Sequence, residues 1–358
     1  MARLTRAQAQ ERTRERVLAA ARTEFVERGF RDAKIDVIAE RAELTRGAVY
    51  SNFPGKRALY LAVLAAEAER APIPEVVAGT TARTALGAFA RAWAGRMPLP
   101  SDDPDGTVPL GADLLPEVLA DERMRTPFAQ LMALDAILLG LALEQMHGPS
   151  AAGRRVRAAE VALTTLHGAS QLAAAAPGFA DPFDVVSACE GLSDLELGSG
   201  RGDEWAPPHL PYVPRARPAG RPWEPPAAID AVRGTAARLT GDGVVAVLGL
   251  HRLVAVEEAV RAAPPGSVVT AVLVSGEPGE LASLARLVVA DVCRCIRLAF
   301  PESAWPRLQV VHDETGAVAA AAGERVVSDA TEVAVRVAGR RIVAHAEGRG
   351  ACHAAASA

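Results

Sequence analysis

What this chain lacks narrows its class before any motif is considered. It has four cysteines, Cys189, Cys293, Cys295 and Cys352, in 358 residues. So sparse a set builds no disulfide framework and fits a reducing compartment. No apolar run approaches the ~18 residues that a bilayer crossing requires; the best candidates are Ala136–Ala142 and Val244–Leu250. The first residues, Met1 to Arg16, are charged throughout and hold no apolar h-region, which argues against a secretory signal. These absences together predict a cytoplasmic protein. Lysine is almost missing: Lys34 and Lys56 are the only two, and the other 37 of the 39 basic residues are arginine. With the heavy alanine content, that bias reads as a GC-rich genome rather than selection for guanidinium chemistry. No repeat of solenoid period is present.

Half of the residues are hydrophobic and 23% are charged, the balance of a folded globular chain. At roughly 100–200 residues per domain, this length predicts two or three domains. The net charge of −4 would by itself speak against a nucleic-acid partner, but the average hides an asymmetry. Residues 1–60 hold 13 Lys and Arg against 8 Asp and Glu, which leaves the remainder with an acidic excess of nine. A basic module on an acidic body is expected where one end meets phosphate and the other does not.

From Thr13 the pattern is helical, with Val17, Leu18, Ala21 and Phe25 on one face and Gly29 where a C-terminal cap belongs. A short second helix carries Ile35, Ile38, Ala39 and Ala42 at i, i+3, i+4, i+7. Glu43-Leu44-Thr45 is then a tight turn, and Thr45 can cap a third helix from Arg46 to about Phe53. That helix buries Val49 and Phe53 and presents Arg46, Ala48, Ser51 and Asn52 elsewhere. Pro54-Gly55 stops it, and Lys56 opens a fourth helix. Helix, three-residue turn, helix is the helix-turn-helix signature.

Residues 61–200 read as further helices around Thr80–Arg96, Leu114–Ala120, Pro127–Met146, Arg154–Ala176 and Asp181–Leu197, with a Pro98–Pro109 loop among them. Residues 201–226 are rich in proline and read as an interdomain linker. Beyond it the period changes. Val244–Leu248, Val268–Val274, Leu308–Val311, Glu332–Ala338 and Arg340–Ala346 read as strands, with helices at Leu253–Ala263 and Glu280–Phe300. Residues 227–358 are therefore expected to form a small α/β domain, giving a mainly α chain with an α/β tail.

The run Gly29-Phe30, Ile38-Ala39, Leu44-Thr45-Arg46-Gly47-Ala48-Val49-Tyr50-Ser51-Asn52-Phe53 and Lys56-Arg57-Ala58-Leu59 closely resembles the tetracycline-repressor (TetR) family of bacterial transcriptional regulators. The resemblance is sharp over Thr13–Leu64 and looser to about Leu197. It implies a helix-turn-helix head over residues 1–60 and a helical effector-binding and dimerisation body over 61–200. By that likeness Tyr50 and Lys56 contact phosphate, while Thr45, Arg46, Ala48, Ser51 and Asn52 face the groove. The physics agrees, because small and polar side chains let a helix approach base edges. Gly47 allows close approach at the helix N-terminus, where the dipole favours phosphate. Relatives usually carry Thr or Ser before the second helix, whereas this chain has Ala33-Lys34. That start should be weaker, and Lys34 could add a phosphate contact. Tyr50 as a purely packing ring and Lys34 as a solvated lysine are the rival readings. So is a solvated face for Arg3, Arg6, Arg12, Arg14 and Arg16, which could otherwise form a backbone-binding arm.

The family likeness further implies a homodimer on a palindromic double-stranded DNA operator, released by a small-molecule effector and acting most simply as a repressor. No cofactor, metal or membrane is implied, and no enzyme activity. Gln130, Gln145, His147, His167 and Gln171 are polar residues on the candidate effector helices, but they name no ligand. The tail loosely resembles a thioredoxin-like domain in its element order. Gly249-Leu250-His251-Arg252 stands where such enzymes carry Cys-x-x-Cys, and Ser328-Asp329-Ala330-Thr331 where they place a cis-proline. Without a thiolate, thiol exchange has no starting reagent, so the tail is expected to be redox-inactive. A fused thioredoxin-like oxidoreductase or an interaction module is the alternative. Cys293 and Cys295, two apart on a helix, should point to different faces. His345, Cys352 and His353 near the terminus match no metal-site spacing, and that terminal stretch reads as disordered.

Overall fold

A computed structural model describes residues 6–72, 77–97, 110–147, 153–193, 195, 213 and 215–358. Arg3, the Pro98–Pro109 loop and residues 201–212 of the expected linker lie outside the described residues. Helix α1 (Arg6–Asp32) is broken at Gly29, whose φ of 70° falls at the expected cap position. Helices α2 (Ile35–Arg41) and α3 (Arg46–Asn52) follow across a tight turn, and α4 (Lys56–Arg70) begins after Pro54-Gly55. Their shared core holds Val17, Phe25, Phe30, Ile38, Val49, Phe53 and Leu59. Tyr60 closes it, with its ring 5.2 Å from Phe25 and 4.9 Å from Phe30, and its hydroxyl accepts from Gly111 N at 3.1 Å.

The body contains α5 (Ala82–Ala94), α6 (Leu114–Ala120), α7 (Glu122–His147), α8 (Val156–Ala175) and α9 (Pro182–Leu192). Thr81 and Thr84 form a reciprocal capping box at the start of α5. Helix α7 is long and apolar enough to cross a membrane by length and composition, which no short apolar run had suggested. Two-thirds of its most apolar window is buried inside the protein, so packing accounts for it as a core helix. Gly140 of α7 is required by close approach: a Cβ there would stand 2.7 Å from Val156 Cα of α8.

The C-terminal part is a six-stranded mixed sheet. Its strands are β1 (Arg217–Pro222), β4 (Gly243–Gly249), β5 (Val268–Val274), β6 (Leu308–His312), β7 (Glu332–Ala338) and β8 (Arg341–Glu347), in the order β1-β8-β7-β4-β5-β6. A separate two-residue ladder joins β2 (Ile229–Asp230) to β3 (Thr235–Ala236). Strands β4, β5 and β6 are parallel, and β7, β8 and β1 add on antiparallel. Connecting helices are α10 (Ala255–Ala262), α11 (Ser283–Ala299), α12 (Ala317–Ala322) and α13 (Ala351–Ala356), and a π-helical turn, Pro278–Ala282, leads into α11. An α/β tail was expected, and an α/β sheet is what forms.

Three expectations are corrected. The second half of the supposed linker is structure: β1 pairs with β8, and Trp223 is fully buried with its indole N–H donating to Leu239 O at 2.6 Å. Prolines are compatible with this because β1 is an edge strand, where a missing N–H faces outward. The terminus is not disordered, since α13 packs on α10 and β7 and Cys352 is fully buried. Nor is the α/β part a tethered neighbour. Helix α11 lies along α4 and also packs on α5 and α7, so one apolar core runs from Leu86 and Leu138 of the body to Val289 and Ile296 of α11.

This placement explains a helix buried nearly all round. Cys293 and Cys295 both have no exposure, because α11 has protein on both sides. The polar residues left over are paired across the seam. Arg96 binds Asp291 at 2.5 Å, Arg286 binds Glu69 at 2.8 Å, and Arg154 binds Glu257 at 2.6 Å. Arg261 reaches Glu144 at 2.7 Å, and Gly79 N donates to Ala299 O at 2.9 Å.

Candidate nucleic-acid interface

The α2-turn-α3 unit is held from behind by charge. Glu24 of α1 is fully buried and pairs with Arg28 at 3.4 Å and Arg41 of α2 at 3.3 Å, while Arg41 also grips Glu27. Arg16 bonds the carbonyl of Ala42 and the Glu43 carboxylate, and the Arg14 guanidinium sits 4.8 Å over the Phe53 ring. Two members of the expected arginine arm are thus bound to the unit itself, Arg16 at the turn and Arg14 at the end of α3.

Thr45 caps α3 as the spacing predicts, its hydroxyl accepting from Ala48 N at 3.2 Å. Val49 and Phe53 turn inward, and Thr45, Arg46, Gly47, Tyr50 and Ser51 stay exposed on the outer face. Tyr50 is 40% exposed, which is more than a purely packing ring would show. Arg46 lies over its ring at 5.5 Å and ion-pairs with Asp36 of α2 at 3.3 Å. That exposed pair is weak, so Arg46 can exchange Asp36 for a phosphate or base edge. Ser51 and Asn52 both bond back to Ala48 O, at 2.9 and 2.8 Å, and Ala48 itself is half-buried. Both side chains must rotate away from that carbonyl to reach a base.

Lys34 is exposed and occupies the N-cap of α2 with no side-chain cap bond, the weaker start expected from losing a hydroxyl. Lys56 differs from a free phosphate clamp. Its ammonium donates to Arg31 O at 2.9 Å and Ala33 O at 3.2 Å, and lies 4.7 Å over the Phe30 ring. It closes the C-terminal end of α1, where cations are favoured. Arg57, not singled out from the sequence, bridges Asp121 at 2.8 Å and Glu280 at 2.7 Å. No local signal marks it, because its partners lie 64 and 223 residues away.

Thr45, Arg46, Gly47, Tyr50 and Ser51 are thus exposed around α3, whereas Ala48 and Asn52 are half-buried and Lys56 is turned to the end of α1. Residues 17–63 match the family described as bacterial regulatory proteins, tetR family. This segment is a TetR-family N-terminal domain. It is 52% identical over 65 residues to the HTH-type transcriptional regulator SrpR of Pseudomonas putida, covering 18% of this chain and 30% of that protein. It is also 52% identical over 65 residues to the uncharacterized HTH-type transcriptional regulator TtgW of Pseudomonas putida, covering 18% and 48%. The match spans less than half the length of either relative. Among solved structures, a TetR transcriptional regulator from Rhodococcus sp. RHA1 is 20% identical, covers 52% of this chain and 95% of its own, and has a TM-score of 0.33. Reduced NemR from E. coli is 20% identical, with 50% and 96% coverage and a TM-score of 0.36.

The expected effector residues are scattered by the fold. Gln130 accepts from Val254 N at 3.2 Å, and His147 Nδ1 lies 2.8 Å from Leu143 O. His167 packs edge-on to Trp93 at 4.7 Å, and burial pushes its pKa down to about 4. Asp135 of α7 is buried with one carboxylate oxygen unpartnered, and burial drives its pKa well up, favouring the neutral acid. In the tail, the 249–252 and 328–331 segments lie side by side, with His251 N donating to Asp329 O and Gly249 N to Thr331 O, each at 2.8 Å. All peptides among the described residues are trans, including this pair of loops. Among the described residues no group of His, Cys, Asp and Glu could hold a metal ion.

Proposed function

We propose that the protein is a transcriptional regulator that binds a palindromic DNA operator as a homodimer in the cytoplasm and is released by a small-molecule effector, acting as a repressor. The observation that carries this reading is the face of α3. Arg46, Gly47, Tyr50 and Ser51 are presented outward on a capped helix whose other side is locked by Val49 and Phe53. Such a helix suits a major groove, and basic flanks suit the sugar-phosphate rails.

The dimer part of the reading draws on α8 and α9. Leu172 of α8, Phe179 of the turn after it and Phe183 of α9 are exposed, the two phenylalanines at 73% and 79%. Apolar groups this large, left open together, suit a two-fold contact between copies. Thiol chemistry is not assigned to the tail, since its cysteines Cys293, Cys295 and Cys352 are buried and burial raises each thiol's pKa. A footprint of the full-length protein on duplexes selected from a random library tests the proposal. Two symmetric protected half-sites are expected, and no protection of any duplex would overturn it.

A further inference from the structure

The cleft outside the carboxyl ends of β4, β5 and β6 is where open α/β sheets take ligands. Its walls are apolar, from Leu250, Leu273, Val274, Pro278 and Ala285, and its polar side is formed by Ser275 and His312 together with Asp313 and Glu314. The carboxylates are already committed. Asp313 accepts from Ala317 N and Ala319 N, each at 2.9 Å, and Glu314 pairs with Arg286 at 3.3 Å. The His312 ring makes no hydrogen bond to a described residue, and desolvation beside Arg286 pushes its pKa down to about 4, so it is a neutral donor and acceptor. As it stands the cleft has room for about one water molecule, so anything larger must move a wall.

One wall is the π-helical turn Pro278–Ala282, an irregularity that often marks functional sites. Its other side touches the DNA-reading head directly. A Cβ on Gly279 would stand 2.9 Å from Pro54 Cγ, in the turn between α3 and α4. Glu280 binds Arg57, the second residue of α4, at 2.7 and 2.9 Å. Helix α11 then continues the contact along α4, with Leu287 buried in the head's own core.

We propose that this cleft is a second ligand site, for a compact uncharged molecule with an apolar body and one hydrogen-bonding group for His312. Its occupancy pushes the Pro278–Ala282 turn against Pro54 and Arg57 and so re-aims α3. The consequence for DNA rests on the regulator reading above. The signal path is one helical turn wide, from Pro278–Ala282 to Pro54 and Arg57.

The test uses the full chain and fills the cleft from two walls, with Ala285→Leu on α11 and, separately, Ser275→Leu after β5. Each is expected to weaken binding to a duplex selected by the wild-type protein at least tenfold, with unchanged circular dichroism. Adding Glu280→Gln, which cuts the link to Arg57, should return Ala285→Leu to within about threefold of the Glu280→Gln protein. Phenol, a probe of the proposed class, should slow hydrogen exchange over residues 273–282 in the wild-type protein and not in Ala285→Leu. Wild-type-like DNA binding by both filled variants, or an equal loss with and without Glu280, overturns the proposal. Should the wild-type protein select no duplex, the regulator reading falls by itself, and the coupling is judged by exchange at residues 46–59. Faster exchange there in the filled variants supports it, and unchanged exchange overturns it.

Discussion

Leu287→Ala asks whether the α/β part and the helix-turn-helix head are one cooperative body. Leu287 belongs to α11 in the C-terminal part, yet it is 5% exposed and sits in the core cluster of α1–α4. Truncation to alanine removes three carbons, about 2.4 kcal/mol at ~0.8 kcal/mol per methylene. The cavity left between two stiff helices raises the expected loss to about 3 kcal/mol. Urea unfolding followed by far-UV circular dichroism would read this as one transition displaced to lower denaturant. On a tethered, independent α/β domain the same side chain would lie on the surface, where truncation costs less than about 0.5 kcal/mol. A loss that small, or two transitions with that of the head unmoved, would refute the continuous core.

Further expectations concern buried titratable groups. His167, with its pKa near 4 in the folded protein, takes up a proton near pH 6.5 only when unfolded, so stability is fully present above pH 6.5 and falls as pH drops toward 4. Between pH 7 and pH 5 this amounts to about 2 kcal/mol, and a His167→Leu protein should lose that share of the pH slope in urea titrations. Asp135 has the opposite sign: burial raises its pKa in the fold above that of the unfolded chain, so it weakens the protein as pH rises above the usual carboxylate range. Asp135→Asn should therefore raise the urea midpoint at pH 7, and a lower midpoint would contradict the neutral-acid assignment. The four buried thiols should resist Ellman's reagent in the native protein and all react once it is unfolded, whereas rapid native labelling would contradict their burial.

Local chemistry made the helix-turn-helix head legible. The i, i+3, i+4, i+7 pattern of α2, the Thr45 cap and the Pro54-Gly55 stop are each decided within a few residues, and each is present in the structure. The same holds for α6 and β5, whose bounds match the expected segments. Features set by distant partners were not legible. Strand β1 reads as linker because Arg217-Pro-Ala-Gly-Arg-Pro222 has no strand propensity, and only the edge of β8 makes it one. Helix α11 reads as amphipathic because Arg286, Arg294 and Arg297 punctuate it. In the fold Arg286 meets Glu69, Arg294 donates to Pro72 O, and Arg297 to the carbonyls of Ala231 and Val232. For the site, residue identity gave Arg46, Tyr50 and Ser51 their outward face. It could not give the inward turn of Lys56 or the Arg57 bridge, which depend on the ends of α1 and α11.

The most direct measurement is a salt titration of operator binding by the wild-type and Tyr50→Ala proteins. If α3 lies in a groove between phosphate contacts, log affinity falls linearly with log salt at about −0.9 per phosphate neutralised. Tyr50→Ala should then bind more weakly at every salt concentration with the slope unchanged, because a neutral hydroxyl releases no counterion. A salt-independent affinity, or a Tyr50→Ala protein indistinguishable from wild type across the titration, would contradict the placement of this helix on DNA.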